Sequence, residues 1–336
     1  MTTVDPNEAD RVRDAVRQYD ERQPALVRAT QGFVALITSA LDDAGINYLT
    51  VTGRTKTVES FAGKAARRVD GKLLYPDPLE QITDQIGLRV ITYVRDDVAA
   101  VARLLAGELT VLEDRDMGQE TAEQGRWGYS SRHLVVAVDA SRTLRPEQEA
   151  LRTYTASVQI RTVLQHAWAE FEHDIRYKGT IPEAFAPDLN RRFTLAAGLL
   201  ELADQEFSTI RDRLQEALPE QPAEAADEDD PRLSAQELAK FLAGTYPDAG
   251  WSRTEHYTWI SGLLLELGIT SLEELAHVLG GLDSEATNAR MGYRYPPAAV
   301  RRLDDALLAV YGQEYVGLHG NSHRVQQLEE RLAKLR

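Results

Sequence analysis

Side chains of several chemical types meet at a strand-to-helix corner in the segment 154–179, YTASVQIRTVLQHAWAEFEHDIRYKG. Its first residues alternate between apolar and polar, which is the period-2 pattern of a strand buried on one face. The other face carries Ser157, Gln159 and Arg161, which follow one another at about 6 to 7 Å. More reactive side chains stand here than a core segment needs, so the segment is a candidate site.

After Thr162 the period becomes helical, and the predicted helix has two faces. Its apolar face consists of Leu164, Trp168, Phe171 and Ile175. Its polar face consists of His166, Glu170, His173 and Tyr177. We expect Trp168 to pack in the core, and the polar faces of the strand and the helix to leave the same corner.

A basic patch covers the segment 53–72, GRTKTVESFAGKAARRVDGK, where six basic residues stand against two acids. This local charge of +4 lies in a chain whose net charge is −15. A helix is predicted to begin near Thr57. Its basic face would hold Ser60, Lys64 and Arg67 or Arg68, and the entering loop would hold Arg54 and Lys56. Cations beside a helix N-terminus can cradle a polyphosphate, and a solvated basic helix is the alternative.

Composition limits the classes of function. With 336 residues, 43% of them hydrophobic and 27% charged, the chain is globular and long enough for one large or two ordinary domains. The absence of cysteine excludes disulfides, thiolate nucleophiles and thiolate zinc sites. The net charge of −15 argues against a general DNA-binding surface. No run approaches eighteen apolar residues and no apolar signal core is present, so we expect no membrane span and a cytoplasmic location.

Three more strands and a helix are predicted before the opening segment. The strands are 46–53, 86–94 and 128–140, and the helix is 96–107. Asp84 stands just before the second of these strands, and the alternation of the third puts Tyr129, Ser131 and His133 on one face. This mixture of strands and helices predicts an α+β domain.

The motifs RTKTVESFAGK, DQIGLRV, GYSSRH and VQIRTVLQHAWAEFEHDIRYK resemble, in order and spacing, the synthetase domain of the RelA/SpoT family. The resemblance covers roughly residues 45–200. It implies a nucleotidyltransferase-like mixed sheet flanked by helices. It also implies transfer of pyrophosphate from ATP to the 3′-hydroxyl of GDP or GTP with Mg²⁺, which yields ppGpp and pppGpp.

The resemblance also implies roles for particular residues. Arg54 and Lys56 match the basic pair that holds ATP, and Ser60 and Lys64 continue that motif. Asp84 matches the aspartate that binds Mg²⁺ and takes part in catalysis. Tyr129 matches the tyrosine that stacks on the acceptor guanine, and His133 the histidine that ends its motif. The strand-and-helix signature is matched by Gln159, Arg161, Trp168, His173, Tyr177 and Lys178.

Two residues depart from the family pattern. Ser157 stands where active synthetases usually have a glutamate, and Trp127 where they have an asparagine. A neutral hydroxyl is neither a strong metal ligand nor a general base, so a large loss of the standard reaction is expected. Asp114, Asp116 and Asp139 are candidates for a replacement carboxylate.

Several functions stay open at this point. The chain is an active alarmone synthetase with a shifted carboxylate, or a catalytically degenerate purine-nucleotide regulator, or an enzyme with another acceptor such as tRNA. A carboxylate-bridged metal site is a weaker alternative, carried by the pairs Glu170 with His173 and Glu274 with His277. That site would need two further glutamates from facing helices.

The chain is predicted to contain four parts. Residues 1–44 are N-terminal helices, 45–218 the RelA/SpoT-like domain with a long trailing helix, 219–231 a linker and 232–336 a helical domain. The linker PEQPAEAADEDDP has six acids, three prolines and no base, which is typical of a solvated segment. The C-terminal domain is a candidate for binding a protein partner, and a homo-oligomer is possible.

Overall fold

The computed structural model describes residues 6–123, 131–140, 144, 146–178, 185–217, 230–293 and 297–336. The chain divides into two units. The first consists of Met1–Ala40 and Tyr48–Gln205, and the second of Leu41–Asn47 and Glu206–Arg336. The linker predicted at 219–231 lies almost entirely outside the described residues, so that boundary stays a prediction.

A five-stranded mixed sheet forms the centre of the first unit. The strands are β1 Thr50–Thr55, β2 Arg68–Val69, β3 Lys72–Leu73, β4 Ile86–Thr92, β5 Thr110–Asp116, β6 Arg132–Ala137 and β7 Thr155–Thr162. The large sheet has the order β1-β4-β7-β6-β5, and β2 and β3 form a separate hairpin. β4 and β7 are parallel, whereas the other neighbours are antiparallel.

Helices cover this sheet. They are α1 Pro6–Ala44, α2 Val58–Ala65, α3 Pro78–Gln81, α4 Arg95–Glu108, α5 Met117–Glu123, α6 Val163–Lys178 and α7 Ala186–Ala217. Two 3₁₀ segments, Thr83–Gln85 and Pro146–Thr153, complete the described elements of this unit. The boundaries between the units fall within α1 and α7. A mixed sheet with flanking helices, followed by further helices, confirms the predicted α+β class.

One face of the sheet is buried, and α1 packs on it at β1. Leu88 and Val158 are almost fully buried on it. A Cβ on Gly53 would lie 2.7 Å from methyl carbons of both Thr30 and Val34, so α1 can approach β1 this closely only at a glycine. The close approach places α1 directly against the strand that leads into the basic patch.

Several boundaries differ from those predicted. β1 begins at Thr50 instead of 46 and continues through Arg54. α2 begins after Thr57 as expected but ends at Ala65, so Arg67 and Arg68 lie outside it. The edge strand β5 was not predicted, because its sequence TVLEDRD is mostly exposed and lacks apolar alternation.

The helix α1 meets a length and composition test for crossing a membrane between Glu8 and Ala44. It is the one described helix that does so. Its residues Tyr19, Phe33 and Ile37 are fully buried against the protein, which is the behaviour of a core helix.

The second unit is helical in its described residues. Its helices are α8 Ala235–Thr245, α9 Thr254–Glu266, α10 Leu272–Gly280, α11 Ser284–Met291, α12 Ala299–Tyr311, α13 Gln313–Val316 and α14 Val325–Leu335, with a 3₁₀ turn at His319–Asn321. Ser234 with Glu237 and Ser271 with Glu274 form capping boxes at α8 and α10. Both pairs satisfy N-terminal amides that a helix cannot satisfy internally.

A buried ionic cluster joins α12 to α14. The Asp304 carboxylate accepts hydrogen bonds from Arg324 at 2.6 and 2.8 Å, from Arg331 at 2.8 Å and from the Tyr315 hydroxyl at 2.5 Å. Arg331 also pairs with Asp305. Burial alone would raise the pKa of Asp304, but Arg324 and Arg331 hold it well below its usual value. Asp304 stays ionised within the core because the two arginines neutralise it.

We expect Asp304→Asn to destabilise the second unit by about 3 to 5 kcal/mol, since it leaves buried arginines without their counter-charge. Because the folded-state pKa of Asp304 lies below the unfolded value of about 3.9, this stabilisation is present above that value and is lost as pH falls through the folded pKa. Hydrogen exchange of α12 and α14 peptides measures the effect. Glu329→Gln, at an exposed acid of α14, is the control, and equal effects of both variants would contradict the prediction.

Candidate functional site

Cross-strand neighbours on one face of the sheet form two rows of side chains. The first row, in strand order, is Arg54, Gly87, Ser157, Val135 and Glu113. The second row is Thr52, Arg89, Gln159, His133 and Arg115. We call this the open face, because Ser157 and Gln159 are only half-buried whereas the alternating residues of β7 are fully buried. The alternation predicted for β7 is confirmed, and the rows lie about 6 to 7 Å apart.

Gly87 leaves a gap in the first row, and the side chain of Arg54 lies over it. A Cβ on Gly87 would be 3.4 Å from Cγ and 3.5 Å from Nε of Arg54. Ser157 is the next residue of the row beyond Gly87. The Arg54 side chain therefore lies against β4 at Gly87, at ordinary contact distance from the place that a Cβ would take. Arg54 itself is part of β1 and not of a loop, so strand pairing fixes its backbone.

Two lysines hold the carboxylate of Asp84. Lys56 Nζ is 2.9 Å from Oδ2, and Lys64 Nζ is 3.0 Å from Oδ1. Lys56 follows β1, Lys64 lies in the last turn of α2, and Asp84 lies in the 3₁₀ turn that precedes β4. Burial would raise the pKa of Asp84, but hydrogen bonds and charges from the two lysines hold it below its usual value. The carboxylate is therefore ionised at neutral pH.

Contacts from α1 and α2 fix the loop that carries Lys56. The Tyr19 hydroxyl donates to the Lys56 carbonyl oxygen at 2.7 Å, and the Tyr19 ring stacks on Phe61 with centroids 4.0 Å apart. Burial raises the pKa of Tyr19 to about 12, so the hydroxyl keeps its proton. At the start of α2 the Thr57 hydroxyl accepts a hydrogen bond from the Ser60 amide at 3.2 Å. It also donates a hydrogen bond to the Ser60 hydroxyl at 3.1 Å. Ser60 thus belongs to the capped helix N-terminus.

None of the three proposed replacement carboxylates lies in the first row with Ser157. Asp114 is opposite Leu134, on the other face, where Arg132 binds it at 2.7 and 2.8 Å. Asp116 accepts hydrogen bonds from the backbone amides of Gly118 and Gln119 at the start of α5. Asp139 follows β6 at the other end of the strand and accepts from Thr110 at 3.3 Å.

Glu113 is the carboxylate that shares the first row with Ser157. A register irregularity after Val111 turns Glu113 toward the open face, opposite Val135. Two strand spacings, about 10 Å, separate it from Ser157. The irregularity could not be read from the sequence, because β5 itself was not recognised.

An ion pair joins the second row to α6. Arg89 Nη1 is 2.8 Å from Glu170 Oε1. Gln159 lies between Arg89 and His133 in the row. His133 Nε2 is 2.9 Å from the Ser131 hydroxyl, and burial, followed by the charge of Arg115, lowers the pKa of His133. His133 is therefore neutral at pH 7 and can act as a hydrogen-bonding group.

Arg161 lies two residues after Gln159, in the next row of the sheet, opposite Ile91. It is only 6% exposed. Burial and the neighbouring Arg89 lower its pKa to about 10, which leaves it charged at neutral pH. His166 Nδ1 is 3.9 Å from Glu170 Oε1. Arg161 and His166 thus surround the Arg89–Glu170 pair at the end of the face away from Asp84.

The α6 helix agrees only in part with its predicted faces. Trp168 is buried against Phe193, with ring centroids 5.7 Å apart, as expected. Phe171 and Ile175 were expected to pack but are 54% and 47% exposed. The Phe171 ring still lies 6.2 Å from the Phe193 ring of α7, centroid to centroid, but more than half of the side chain is exposed.

Five other residues at positions of the family motifs give less information. His173 is exposed. The side chains of Tyr177 and Lys178 lie outside the described part, and so do Tyr129 and Trp127. Their roles stay predictions.

Asp84 is the one carboxylate beside the Lys56 and Lys64 ammonium groups in the described part of the chain. No three side chains of the types His, Cys, Asp and Glu converge on a metal-binding position among the described residues. Glu274 caps α10, and Glu170 pairs with Arg89. The carboxylate-bridged metal site is therefore not formed by the described residues. Mg²⁺ usually takes only one or two protein carboxylates together with substrate phosphates, so Asp84 fits a metal that arrives with a nucleotide.

Three residues of this arrangement were missed in the sequence. Arg89 could have been noticed, because it is the one charged residue in the apolar run IGLRVIT. Gly87 and Tyr19 give no such signal, since their contacts with Arg54 and Lys56 join separate parts of the chain.

Comparison with known proteins identifies relatives of this region. The family described as "Region found in RelA / SpoT proteins" matches residues 53–181. GTP pyrophosphokinase YjbM of Bacillus subtilis (strain 168) is 36% identical over 171 residues, which are 50% of this chain and 74% of YjbM. GTP pyrophosphokinase YwaC of the same organism is 28% identical over 147 residues, 43% of this chain and 66% of YwaC.

The crystal structure of small alarmone synthetase 1 from Bacillus subtilis is 30% identical, covers 59% of this chain and 100% of its own, and has a TM-score of 0.44. The matched segment 53–181 includes Asp84, its two lysines and every residue of the two rows except Thr52. With YjbM covered over 74% of its length at 36% identity, this chain belongs to the RelA/SpoT family.

Proposed function

We propose that the chain binds ATP and a guanine nucleotide and transfers the pyrophosphate of ATP to the 3′-hydroxyl of GDP or GTP. The observation that carries this proposal is the Asp84 carboxylate between Lys56 and Lys64, next to the row of Arg54, Gly87 and Ser157. It lies within the segment that matches the family, and two relatives carry the name GTP pyrophosphokinase.

The reaction needs positioning and charge neutralisation more than covalent chemistry. The acceptor oxygen bonds to the β-phosphorus of ATP, the bond from that phosphorus to the bridging α-phosphate oxygen breaks, and AMP leaves. Arg54, Lys56 and Lys64 neutralise the phosphate oxygens. Asp84 and the row beside it face the reacting groups, and the hydroxyl proton passes to a carboxylate or to water.

A magnesium ion, when bound, neutralises phosphate charge and polarises the β-phosphoryl group. Asp84 is the residue that would hold it. To hold the ion, Asp84 would have to release its contacts with Lys56 and Lys64. Lys56 and Lys64 can then turn to the phosphates that arrive with the metal.

The acceptor is proposed to bind at the other strands of the open face. Tyr129 would stack on the guanine, and His133 would donate or accept a hydrogen bond as a neutral imidazole. Gln159 lies between His133 and Arg89, within reach of a ligand that crosses the second row. Arg161 is buried at the end of the face and would act by holding the charges of Arg89 and Glu170.

A second candidate function follows from Ser157. The first row has a hydroxyl where active relatives usually have a glutamate, and Asp114, Asp116 and Asp139 do not replace it. A site that keeps its cations and loses a carboxylate still binds nucleotide but transfers pyrophosphate slowly. The alternative is therefore a nucleotide-binding regulator in the cytoplasm, which signals through its C-terminal helical domain.

The basic residues of β1 and its loop are expected to bind ATP whether or not turnover occurs. Replacing Arg54 and Lys56 together by Ala should weaken ATP binding by about 2 to 5 kcal/mol, because both charges are expected to contact phosphate. Titration calorimetry at constant ionic strength measures the change.

A matched control removes the same net charge from the same patch. Arg67 and Lys72 are exposed and lie outside the lysine pair that holds Asp84. Replacing both by Ala should change ATP affinity far less. Equal losses of ATP affinity in the two double variants would show that the patch acts only through long-range charge. An unmodified chain without ATP affinity would contradict the proposal that Arg54 and Lys56 bind ATP.

The Ser157→Glu variant tests the chemistry. Ser157 lies on the open face. Gly87, its neighbour on β4, has no side chain that would obstruct a longer residue. If the rest of the site is intact, the added carboxylate should raise Mg²⁺-dependent pyrophosphate transfer by about two decades or more, which is the usual scale for one acid–base group. The assay uses ATP labelled in its γ-phosphate with GDP, GTP or tRNA as separate acceptors.

Two further variants separate the possible results. Ser157→Gln adds similar bulk without a charge and should not raise the rate. Asp84→Asn should abolish transfer, in the unmodified chain and in the Ser157→Glu variant alike. If the unmodified chain is active and Ser157→Glu adds little, another carboxylate serves the reaction. Nucleotide binding without turnover in every variant supports the regulator, and turnover that survives Asp84→Asn would refute the assignment of this site.

A further inference from the structure

One buried carboxylate of the first unit has no part in the proposed reaction. Asp204 of α7 is 1% exposed, and its Oδ2 accepts a hydrogen bond of 2.6 Å from the Thr162 hydroxyl. The two residues stand 42 positions apart, and Asp204 lies beyond the matched segment 53–181. Burying a carboxylate costs free energy unless hydrogen bonds or opposite charges compensate it. The place of Asp204 in the core therefore needs an explanation.

The buried side of α7 does not explain it. Phe193 and Ala197 are buried on this side, and the Phe193 ring packs on Trp168 of α6 with centroids 5.7 Å apart. Asp204 follows Ala197 by seven positions, which places both on the same face of the helix. An apolar residue at this position would continue the buried side without burying a charge. The carboxylate is therefore explained by its partner Thr162 and not by packing alone.

Thr162 lies at the corner where β7 ends and α6 begins. Its hydroxyl accepts a hydrogen bond from the Gln165 amide at 3.2 Å, and its own amide donates to Gln165 Oε1 at 2.9 Å. This reciprocal pair caps the first turn of α6. A hydroxyl has one hydrogen, and Asp204 accepts it, so a lone pair of the Thr162 oxygen is left for the Gln165 amide. Asp204 therefore fixes the orientation of the group that starts α6.

The start of α6 sets the position of two side chains at one end of the open face. His166 and Glu170 follow Thr162 by four and eight positions, about one and two helical turns. Glu170 pairs with Arg89 of the second row at 2.8 Å and lies 3.9 Å from His166. A change in the first turn of α6 would shift both side chains relative to the sheet.

The charged neighbours of Asp204 belong to the same corner. Arg95, the first residue of α4, lies 3.8 Å from Glu201, measured from Nη1 to Oε1, and Glu201 stands three positions before Asp204. Burial raises the pKa of Asp204, whereas the hydrogen bond from Thr162 and the charge of Arg95 lower it. The acids of α7 thus contact the starts of both α4 and α6.

We propose that Asp204 is a positioning residue for the acceptor nucleotide: it orients the Thr162 hydroxyl that starts α6, and so places His166 and Glu170 at the second row. This inference rests on the proposed function, in which the acceptor binds along the second row and ATP binds the basic residues of β1 and α2. Loss of the contact between Asp204 and Thr162 therefore weakens binding of GDP and leaves binding of ATP nearly unchanged.

Separate calorimetric titrations of the full chain with GDP and with ATP test the proposal. Asp204→Ala should weaken GDP binding at least about tenfold and ATP binding less than about twofold, because misplaced binding groups cost affinity only for the ligand they touch. Asp204→Asn keeps an oxygen that accepts the hydroxyl hydrogen, so its GDP affinity should stay close to that of the unmodified chain. Asp188→Ala is the matched control, since it removes an exposed carboxylate of α7 that pairs with Arg192 of the same helix.

Variants of the hydroxyl partner give a second test. Thr162→Val should also lose GDP affinity, and Thr162→Ser, which keeps a hydroxyl, should retain it. The combined variant Thr162→Val with Asp204→Ala should lose less GDP affinity than the product of the two single losses, because both remove the same contact. Amide hydrogen exchange of peptides from 159–170 should be faster in Asp204→Ala and unchanged in Asp188→Ala.

Three results would overturn the proposal. They are equal losses of GDP and ATP affinity in Asp204→Ala, a combined loss equal to the product of the single losses, and unchanged hydrogen exchange at the start of α6. Circular dichroism of each variant excludes unfolding as the reason for a loss. If the unmodified chain binds no guanine nucleotide, the proposed function fails, and the exchange measurement alone decides whether Asp204 orders the start of α6.

Discussion

The Asp84 carboxylate between two lysine ammonium groups is the interaction on which the site depends. Lys56 and Lys64 each lie about 3 Å from one oxygen of Asp84, so two positive charges are held close together by one negative charge. Without that carboxylate the two ammonium groups would repel each other in a partly buried place. A triphosphate offers several negative oxygens and can replace Asp84 as their partner. Arrival of nucleotide would then free the carboxylate for a metal ion.

This exchange requires rigid supports on every side. Tyr19 of α1 fixes the backbone of Lys56, Thr57 caps the helix that carries Lys64, and the pairing of Ile86 with Thr55 fixes the chain just after Asp84. A glycine allows one of these approaches, because Gly53 lets α1 pack on β1. The charged side chains of the site are therefore held in place by uncharged residues: Tyr19, Thr57 and Gly53.

The sequence predicted those parts of the fold whose signal is local. The period-2 pattern of β7, the helical pattern of α4 and α6 and the start of α2 after Thr57 are confirmed. The family resemblance, which four motifs in register carried, is confirmed by the comparisons. The α+β class followed from these elements. These predictions are confirmed because each pattern depends only on residues that are close in the sequence.

What the sequence could not predict depends on contacts between distant segments. β5 is an exposed edge strand, and its charged residues hide the strand pattern. Arg89 and Glu170 lie 81 positions apart, and only the register of β4 with β7 and the path of α6 bring them together. The exposed positions of Phe171 and Ile175 contradict a helical pattern that reads as a buried face, because periodicity shows which residues share a face but not what covers it.

Ser157 shows why binding and catalysis can separate in such a site. A glutamate at this position would add a negative charge beside Arg54 and close to the phosphates, which opposes binding of the ground-state nucleotide and assists the transition state. A serine removes that repulsion and leaves the cations of the first row and of the loop in place. The substitution should thus favour occupancy over turnover, since only interactions stronger in the transition state accelerate a reaction. Under the proposed function, the charge of this one residue opposite Gly87 decides between turnover and nucleotide binding without turnover.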